Sequence, residues 1–420
     1  MNLPAVEGGT SFVQTQNELL PLGRGRHDST ELSFRASRMI LSETRNPGNL
    51  WRIKLSWMSR RHGREMTNYE TDSGGDDAFL QPVGIPGFGE GAMSTIGIIA
   101  NPASGRDIRR LVAHASVFDN LEKAHILRRV LLALDALGAQ QVIYMPDYGG
   151  LMDKALKGLK LSLKVDQLDM EMWADERDTT EAAKRFCQGE VGCIITLGGD
   201  GTNRAVAKGC SRVPIVAIST GTNNVFPSMI EGTVAGMAAG LVASERVDPK
   251  KSTYASKRLE VYVDGQMKEI ALIDVVACTD LFVGSRALWD PHRVREIVLT
   301  RAEPDCIGMS SIGGLLHPLG PLDAEGMYLR LGKGNTRVQA PVGPGLVSVV
   351  DTQEYRMISL GDEVVLERAA CTIAVDGERQ IEVYPDQTVS VRLTNRGPPV
   401  VDVRQCLQEA GRCGVFKGVA

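Results

Sequence analysis

The stretch Cys193-Ile194-Ile195-Thr196-Leu197-Gly198-Gly199-Asp200-Gly201-Thr202 decides how the rest of this chain is read. Its apolar run is short and ends in glycine, the pattern of a strand buried on both faces. The glycines that follow let backbone approach an anion closely. A helix opening behind them presents free N–H groups and the positive end of its dipole. A carboxylate inside a loop that only binds phosphate would repel its ligand. Asp200 makes chemical sense if it holds Mg²⁺ or takes a proton from an attacking hydroxyl. Read as a plain turn, the same string makes Asp200 an N-cap.

Two further loops follow apolar runs. Asn101-Pro102-Ala103-Ser104-Gly105 comes after Thr95–Ala100, and Gly221-Thr222-Asn223-Asn224 comes after Pro214–Ser219. In an open α/β sheet the three loops share one edge, at the carboxyl ends of the strands. Between the runs, Leu121, Ala124, Leu127, Val130, Leu131, Leu134 and Leu137 recur at helical spacing up to Gly138. Helices are also expected around Met152–Leu161 and Thr179–Cys187, and strands at Val142–Met145 and Leu163–Met172. Residues 93–248 therefore read as an α/β nucleotide-binding domain, Rossmann-like, with a parallel sheet. From residue 249 to 420 the rhythm changes to strands with few helices, punctuated by Asp264-Gly265 and Asp376-Gly377. That segment reads as a β-rich second domain, and the crevice between the two is the default ligand site.

Residues 1–92 have little sustained periodicity and contain Ser73-Gly74-Gly75-Asp76-Asp77 and a Gly/Pro stretch from Pro82 to Gly91. They are expected to be a disordered extension, with the working protein starting at Met93. A net charge of -4 gives no overall attraction for nucleic acid, and no stretch is long and apolar enough to suggest a membrane partner. The 8 cysteines form no C-x-x-C pair, which fits free thiols in a reducing cytoplasm better than zinc or disulfides.

The Gly198–Thr202 string after an apolar strand resembles the hallmark of the ATP-NAD kinase superfamily, which also holds lipid kinases and phosphofructokinases. Ile98–Asp107, Gly198–Arg204, Thr220–Pro227 and Ala271–Val275 resemble its AcoX branch, kinase-like proteins associated with acetoin catabolism. The resemblance runs from about Met93 to the C-terminus. It implies an inter-domain site using ATP and Mg²⁺ or another divalent cation, with transfer of the γ-phosphoryl to a hydroxyl of a small molecule. NAD is one such acceptor, and a homo-oligomer is the expected assembly. Asp200 would be catalytic. Asn101, Ser104, Gly105, Gly198, Gly199, Gly201, Thr202, Asn203, Thr222, Asn223 and Asn224 would meet the nucleotide. Asp274 would meet the acceptor, as would Ser310 and Ser311 in the place of a glycine/threonine-rich turn at Gly308–Gly314. Asp376-Gly377-Glu378 resembles the D-G-E turn of lipid kinases, whose acidic pair contributes to a metal-linked network, or is simply a type I′ turn. Ile273 stands where an NAD kinase has asparagine, which weighs against NAD. A lipid or sphingoid-base kinase and a non-catalytic nucleotide sensor are the rival readings.

Overall fold

The computed structural model describes residues 29–34, 37–45, 51–59, 65–72, 94–105, 118–189, 191–221, 223–282 and 290–417. Met93, the expected start of the working chain, lies outside them. Two units are distinguished, residues 1–81 and 82–420. In the first, β1 (Ser29–Phe34), β2 (Ser37–Arg45), β3 (Trp51–Ser59) and β4 (Glu65–Asp72) form an antiparallel meander. The period-two alternation of Trp51, Ile53, Leu55 and Trp57 is the sequence pattern that accompanies it.

The second unit begins with a parallel sheet. Its strands are β5 (Thr95–Ala100), β6 (Gln141–Tyr144), β7 (Lys164–Gln167), β8 (Val191–Gly198) and β9 (Ile215–Ser219). The helices between and after them are α1 (Asn120–Ala136), α2 (Leu151–Leu156), α3 (Glu176–Gln188), α4 (Asp200–Gly209), α5 (Gly232–Ala243) and the short α6 (Pro249–Ser252). Alternation along the strands sorts side chains to two faces. Ile96, Ile98, Cys193, Ile195 and Leu197 pack with α1, α2 and α5, while Ile99, Ile194, Ala182, Phe186 and Val206 make the core beneath α3 and α4. None of the helices among the described residues is long and apolar enough to cross a membrane.

The β-rich domain expected after residue 248 is present as two antiparallel sheets. One holds β11 (Arg258–Val263), β12 (Gln266–Ala271), β17 (Glu363–Val365) and β20 (Val389–Thr394). The other holds β13 (Asp274–Cys278), β14 (Val294–Leu299), β15 (Glu325–Gly343), β16 (Leu346–Ser359), β18 (Cys371–Val375) and β19 (Glu378–Val383). Leu259, Val261, Val391 and Leu393 from the first sheet meet Val275, Val298 and Ile373 from the second in one apolar core. Met309 and Ile312 of α7 (Met309–Leu316) pack on the second sheet's other face.

The boundary at 248/249 does not partition the sheets. The strands β10 (Thr253–Ala255) and β21 (Pro399–Val401) extend the parallel sheet, giving the order β10-β21-β9-β8-β5-β6-β7. Behind β21, α8 (Val403–Arg412) buries Val403, Cys406 and Ala410 in the same core as α1 and α5.

Candidate active site

The chain leaves β5 for β6 and β7 on one side, then returns to place β8 and β9 on the other. Strand order therefore reverses between β5 and β8, and the carboxyl ends of strands at such a reversal form a crevice that binds ligands. The Asn101–Gly105 and Gly198–Thr202 loops stand at this point, with the loop after β9 beside them.

The loops hold one another. Asn101 donates its backbone N–H to the Leu197 carbonyl (3.0 Å) and its Nδ2 to Thr202 Oγ1 (3.0 Å). Thr220 donates Oγ1 to Ser104 Oγ (2.8 Å), and its N–H to the Gly198 carbonyl (3.2 Å). Gly198 and Gly199 are glycine because nothing larger fits. A Cβ on Gly198 would lie 2.5 Å from Thr202 Oγ1, and one on Gly199 would lie 2.7 Å from Asn224 Oδ1.

Asp200 is the first residue of α4, and the N-cap is Gly199, so the plain capping role is not the one it takes. Its carboxylate reaches across to the third loop and accepts the N–H groups of Val225 (3.0 Å) and Phe226 (2.8 Å). Arg301 lies over the Phe226 ring, 5.2 Å from its centroid. Burial first, then the Glu303 and Asp305 carboxylates, pushes the Cys306 thiol up to about 12 against the pull of Arg301, with Asp200 adding a smaller push.

The β-rich domain closes on α4 through Arg204. This arginine has no solvent exposure. It donates Nη1 to the Val375 carbonyl (2.8 Å), with Asp376 Oδ2 at 3.8 Å, Glu378 Oε2 at 3.4 Å and Glu176 Oε2 at 3.6 Å. Burial works against the guanidinium charge, and the Asp376, Glu378, Glu176 and Glu269 carboxylates outweigh it, so its pKa is raised. Glu378 Oε1 lies 3.7 Å from where a Cβ on Gly201 would sit, so a second carboxylate borders the phosphate loop.

Asp376 and Gly377 both have positive φ, 48° and 78°, as the type I′ hairpin between β18 and β19 requires. The Asp376 side chain folds inward. Its carboxylate accepts N–H groups from Leu272 (3.0 Å), Ile273 (2.8 Å) and Asp274 (3.3 Å), which fixes the turn between β12 and β13. Asp376, the expected contributor to a metal network, thus has its carboxylate buried among amides and facing Arg204.

Burial first, helped by the Asp274 and Asp200 carboxylates and opposed by Arg204 and the Ile273 amide, pushes the Asp376 carboxyl up to about 7. The folded-state value therefore lies above the ordinary aspartate value of 3.8. Between these values the folded protein holds a proton that the unfolded chain releases. Asp376 then contributes stability that is complete below about pH 4 and lost as pH rises through about 7. Denaturant titrations at pH 5.5 and 8 should show this component in the wild type and not in Asp376→Asn. Equal slopes in the two proteins would contradict it.

Three other expectations change. Asn203 is fully buried, accepts from Thr196 Oγ1 (2.7 Å) and donates to the Gly199 carbonyl (2.9 Å), so it shapes the loop from beneath. Ser310 and Ser311 are buried in α7, where Ser311 Oγ donates to the Gly308 carbonyl (2.6 Å). The segment coils into α7 instead of an open turn, and Ser310 Oγ has no hydrogen-bond partner there among the described residues. Asn101, Ser104, Gly105, Gly199, Asp200, Gly201, Asn223 and Asn224 are partly exposed at the crevice, while Gly198 and Thr202 lie beneath it. Thr222 lies outside the described residues. Asp274 is buried, its Oδ1 accepting the Gly377 N–H (3.2 Å), and Ile273 belongs to the core below α3 and α4.

Sequence reasoning assigned no role to Arg204, and it named Glu378 only as the acidic partner of Asp376 in the Asp376-Gly377-Glu378 turn. The signal for Arg204 was a charged residue directly before Ala205-Val206-Ala207. What the turn signal could not give is the place of Glu378 beside Gly201 and Arg204, which depends on the hairpin's fold against α4.

Residues 96–246 match the family model of the ATP-NAD kinase N-terminal domain, and residues 257–396 match that of the acetoin catabolism protein X C-terminal domain. The chain is 38% identical over 331 residues to a protein named acetoin catabolism protein X from Cupriavidus necator, covering 76% of this chain and 92% of that relative. With the GGDGT loop at the switch point and the β-rich domain closed upon it, the chain belongs to the acetoin catabolism protein X family, built on an ATP-NAD kinase N-terminal domain.

Proposed function

We propose that this protein transfers the γ-phosphoryl group of ATP to a hydroxyl of a small molecule, in the cytoplasm and in the context of acetoin catabolism. The observation that carries the reading is the convergence of three polar, glycine-containing loops at the strand-order reversal, with Asp200 opening the helix at its centre. The context comes from the name of the Cupriavidus relative. Homo-oligomeric assembly is part of the proposal.

The donor set fits a divalent cation. Magnesium is commonly held by one or two carboxylates together with substrate phosphates, and Asp200 and Glu378 flank Gly201. Among the described residues no three His, Cys, Asp or Glu side chains gather as a ready-made cage, and this mode of binding needs none. A bound Mg²⁺ would neutralise phosphate charge. The chain's own part is positioning, the main source of catalysis in phosphoryl transfer. The loop backbone and small side chains orient the phosphates, and the Asp200 carboxylate orients an attacking hydroxyl and accepts its proton.

The acceptor favoured by the geometry is not a dinucleotide. Ile273 points into the core, Asp274 caps the Asp376-Gly377 turn, and Ser310 and Ser311 are buried. Ile273, Asp274 and Ser311 are thus engaged in internal contacts. A second reading, nucleotide sensing without turnover, is favoured by the engagement of Asp200 with the Val225 and Phe226 amides.

The test is calorimetric nucleotide binding followed by γ-labelled ATP, Mg²⁺ and a panel of hydroxylated acceptors that includes NAD. Label passing to a small acceptor, with little NADP formed, is the expected result. Binding without transfer to any acceptor would favour sensing, and absent binding would remove both readings.

A further inference from the structure

Lys123 breaks two local rules at once. It stands in the first turn of α1, where the helix dipole favours acids over cations. Its side chain is also fully buried, although an ammonium is costly to take out of water. The spacing Lys123, Leu127, Val130, Leu134 puts it on the helix's buried stripe. Residues that violate local preferences in this way concentrate at functional sites.

The lysine gains a ring of oxygens. Nζ donates to the carbonyls of Ser104 (2.6 Å), Asn101 (3.0 Å) and Pro102 (3.1 Å), and Asn120 Oδ1 lies at 3.2 Å. An ammonium has three donors, so the carbonyls of this one loop suffice to take them. A trans peptide directs its C=O and N–H to opposite sides. With the Ser104 carbonyl drawn to Lys123, the Gly105 amide is turned away from the ammonium. Gly105 itself has φ +71°, and a Cβ there would lie 2.5 Å from the Thr220 carbonyl oxygen. The loop so fixed is the one that reaches both others, through Asn101 to Thr202 and through Ser104 to Thr220.

We propose that Lys123 is a positioning residue for nucleotide binding. It holds the Asn101–Gly105 loop in its binding conformation before a ligand arrives, and through that loop it aligns the other two. The inference rests on the reading of this edge as a nucleotide site. Preorganisation raises affinity because the ordering cost is met during folding and not at binding.

Two measurements test it. The first is ADP titration calorimetry on the wild type and on Lys123→Met, a variant of similar length without the charge. The Kd of the folded fraction is expected to weaken at least about tenfold, as loss of a preset loop does. A merely structural lysine would lower the binding stoichiometry and leave Kd unchanged, which overturns the proposal. The second uses the wild type alone and stands even if Lys123→Met does not fold. Amide hydrogen exchange at Asn101, Ala103 and Ser104, whose N–H groups already have acceptors within the protein, should be slow without nucleotide and change little when ADP is added. Fast exchange that slows only with ADP overturns the proposal. A wild type that binds no adenine nucleotide removes the proposed function and this inference with it. Wild-type binding that Lys123→Met retains unchanged removes this inference alone.

Discussion

Arg204→Met is expected to cost about 3–5 kcal/mol of folding stability at pH 8, the range for removing one partner of a buried ion pair. The substitution keeps most of the side-chain volume, so the loss reports charge and hydrogen bonding more than a cavity. It leaves Asp376 without its counter-charge and the Val375 carbonyl without its donor. Asp376 responds by holding its proton to higher pH, which limits the loss, so the cost should shrink at pH 6. The double variant Arg204→Met/Asp376→Asn removes both charges and should recover part of the stability. The pair's coupling is read from the double-mutant cycle, by denaturant unfolding at both pH values. Additive losses, with no recovery in the double variant, would show that the two residues do not act as a pair.

The second large effect is on turnover. Asp200→Asn should lower phosphoryl transfer by about 10²–10⁴-fold, the usual contribution of a positioned acid–base group, and leave nucleotide affinity within a few-fold. The asparagine carbonyl can still accept from Phe226, whose N–H lies 2.8 Å from Oδ1, so the third loop keeps its place. Asp200→Ala removes that acceptor as well. It should lose turnover to a similar degree and in addition speed amide exchange at Val225 and Phe226. Comparing the two variants separates proton transfer from loop holding. An Asp200→Asn protein that is folded and retains full transfer would remove Asp200 from the chemistry.

The parallel sheet was legible because its strands are short apolar runs closed by polar or glycine-rich loops. Thr95–Ala100 was read to the residue, and Cys193–Leu197 lies within β8. Leu163–Met172 contracts to Lys164–Gln167, since its charged residues belong to an edge strand and the connection beyond it. The long β15–β16 arm was missed apart from Met357–Ser359. Its Gly332, Gly334, Pro341 and bulges after Arg330 and Pro341 erase any alternation, and beyond Leu331 it pairs only with itself. In the site, spacing located the three loops correctly at one edge of the sheet. It could not tell which side chains face the crevice: Asn203 belongs to the quoted motif yet points inward, and Arg204 beside it joins the two domains. Side-chain direction depends on what packs against a helix, and for α4 that is a hairpin 170 or so residues later, as the Arg204–Val375 bond shows.

The return of β21 and α8 to the first sheet makes the β-rich domain a guest inserted into a host. The polypeptide enters it after β10 and leaves it before β21, and those two strands are hydrogen-bonded to each other as Thr253–Val401, Tyr254–Val400 and Ala255–Pro399. A guest tethered by one flexible linker can swivel freely. One tethered by a paired ribbon resists twisting and bends chiefly about a single line, as a door does on its leaf. Cutting the chain after residue 396 would therefore do more than shorten a tail: it would take Val400, Val401, Cys406 and Ala410 out of the host's own core and leave the door without half of its hinge.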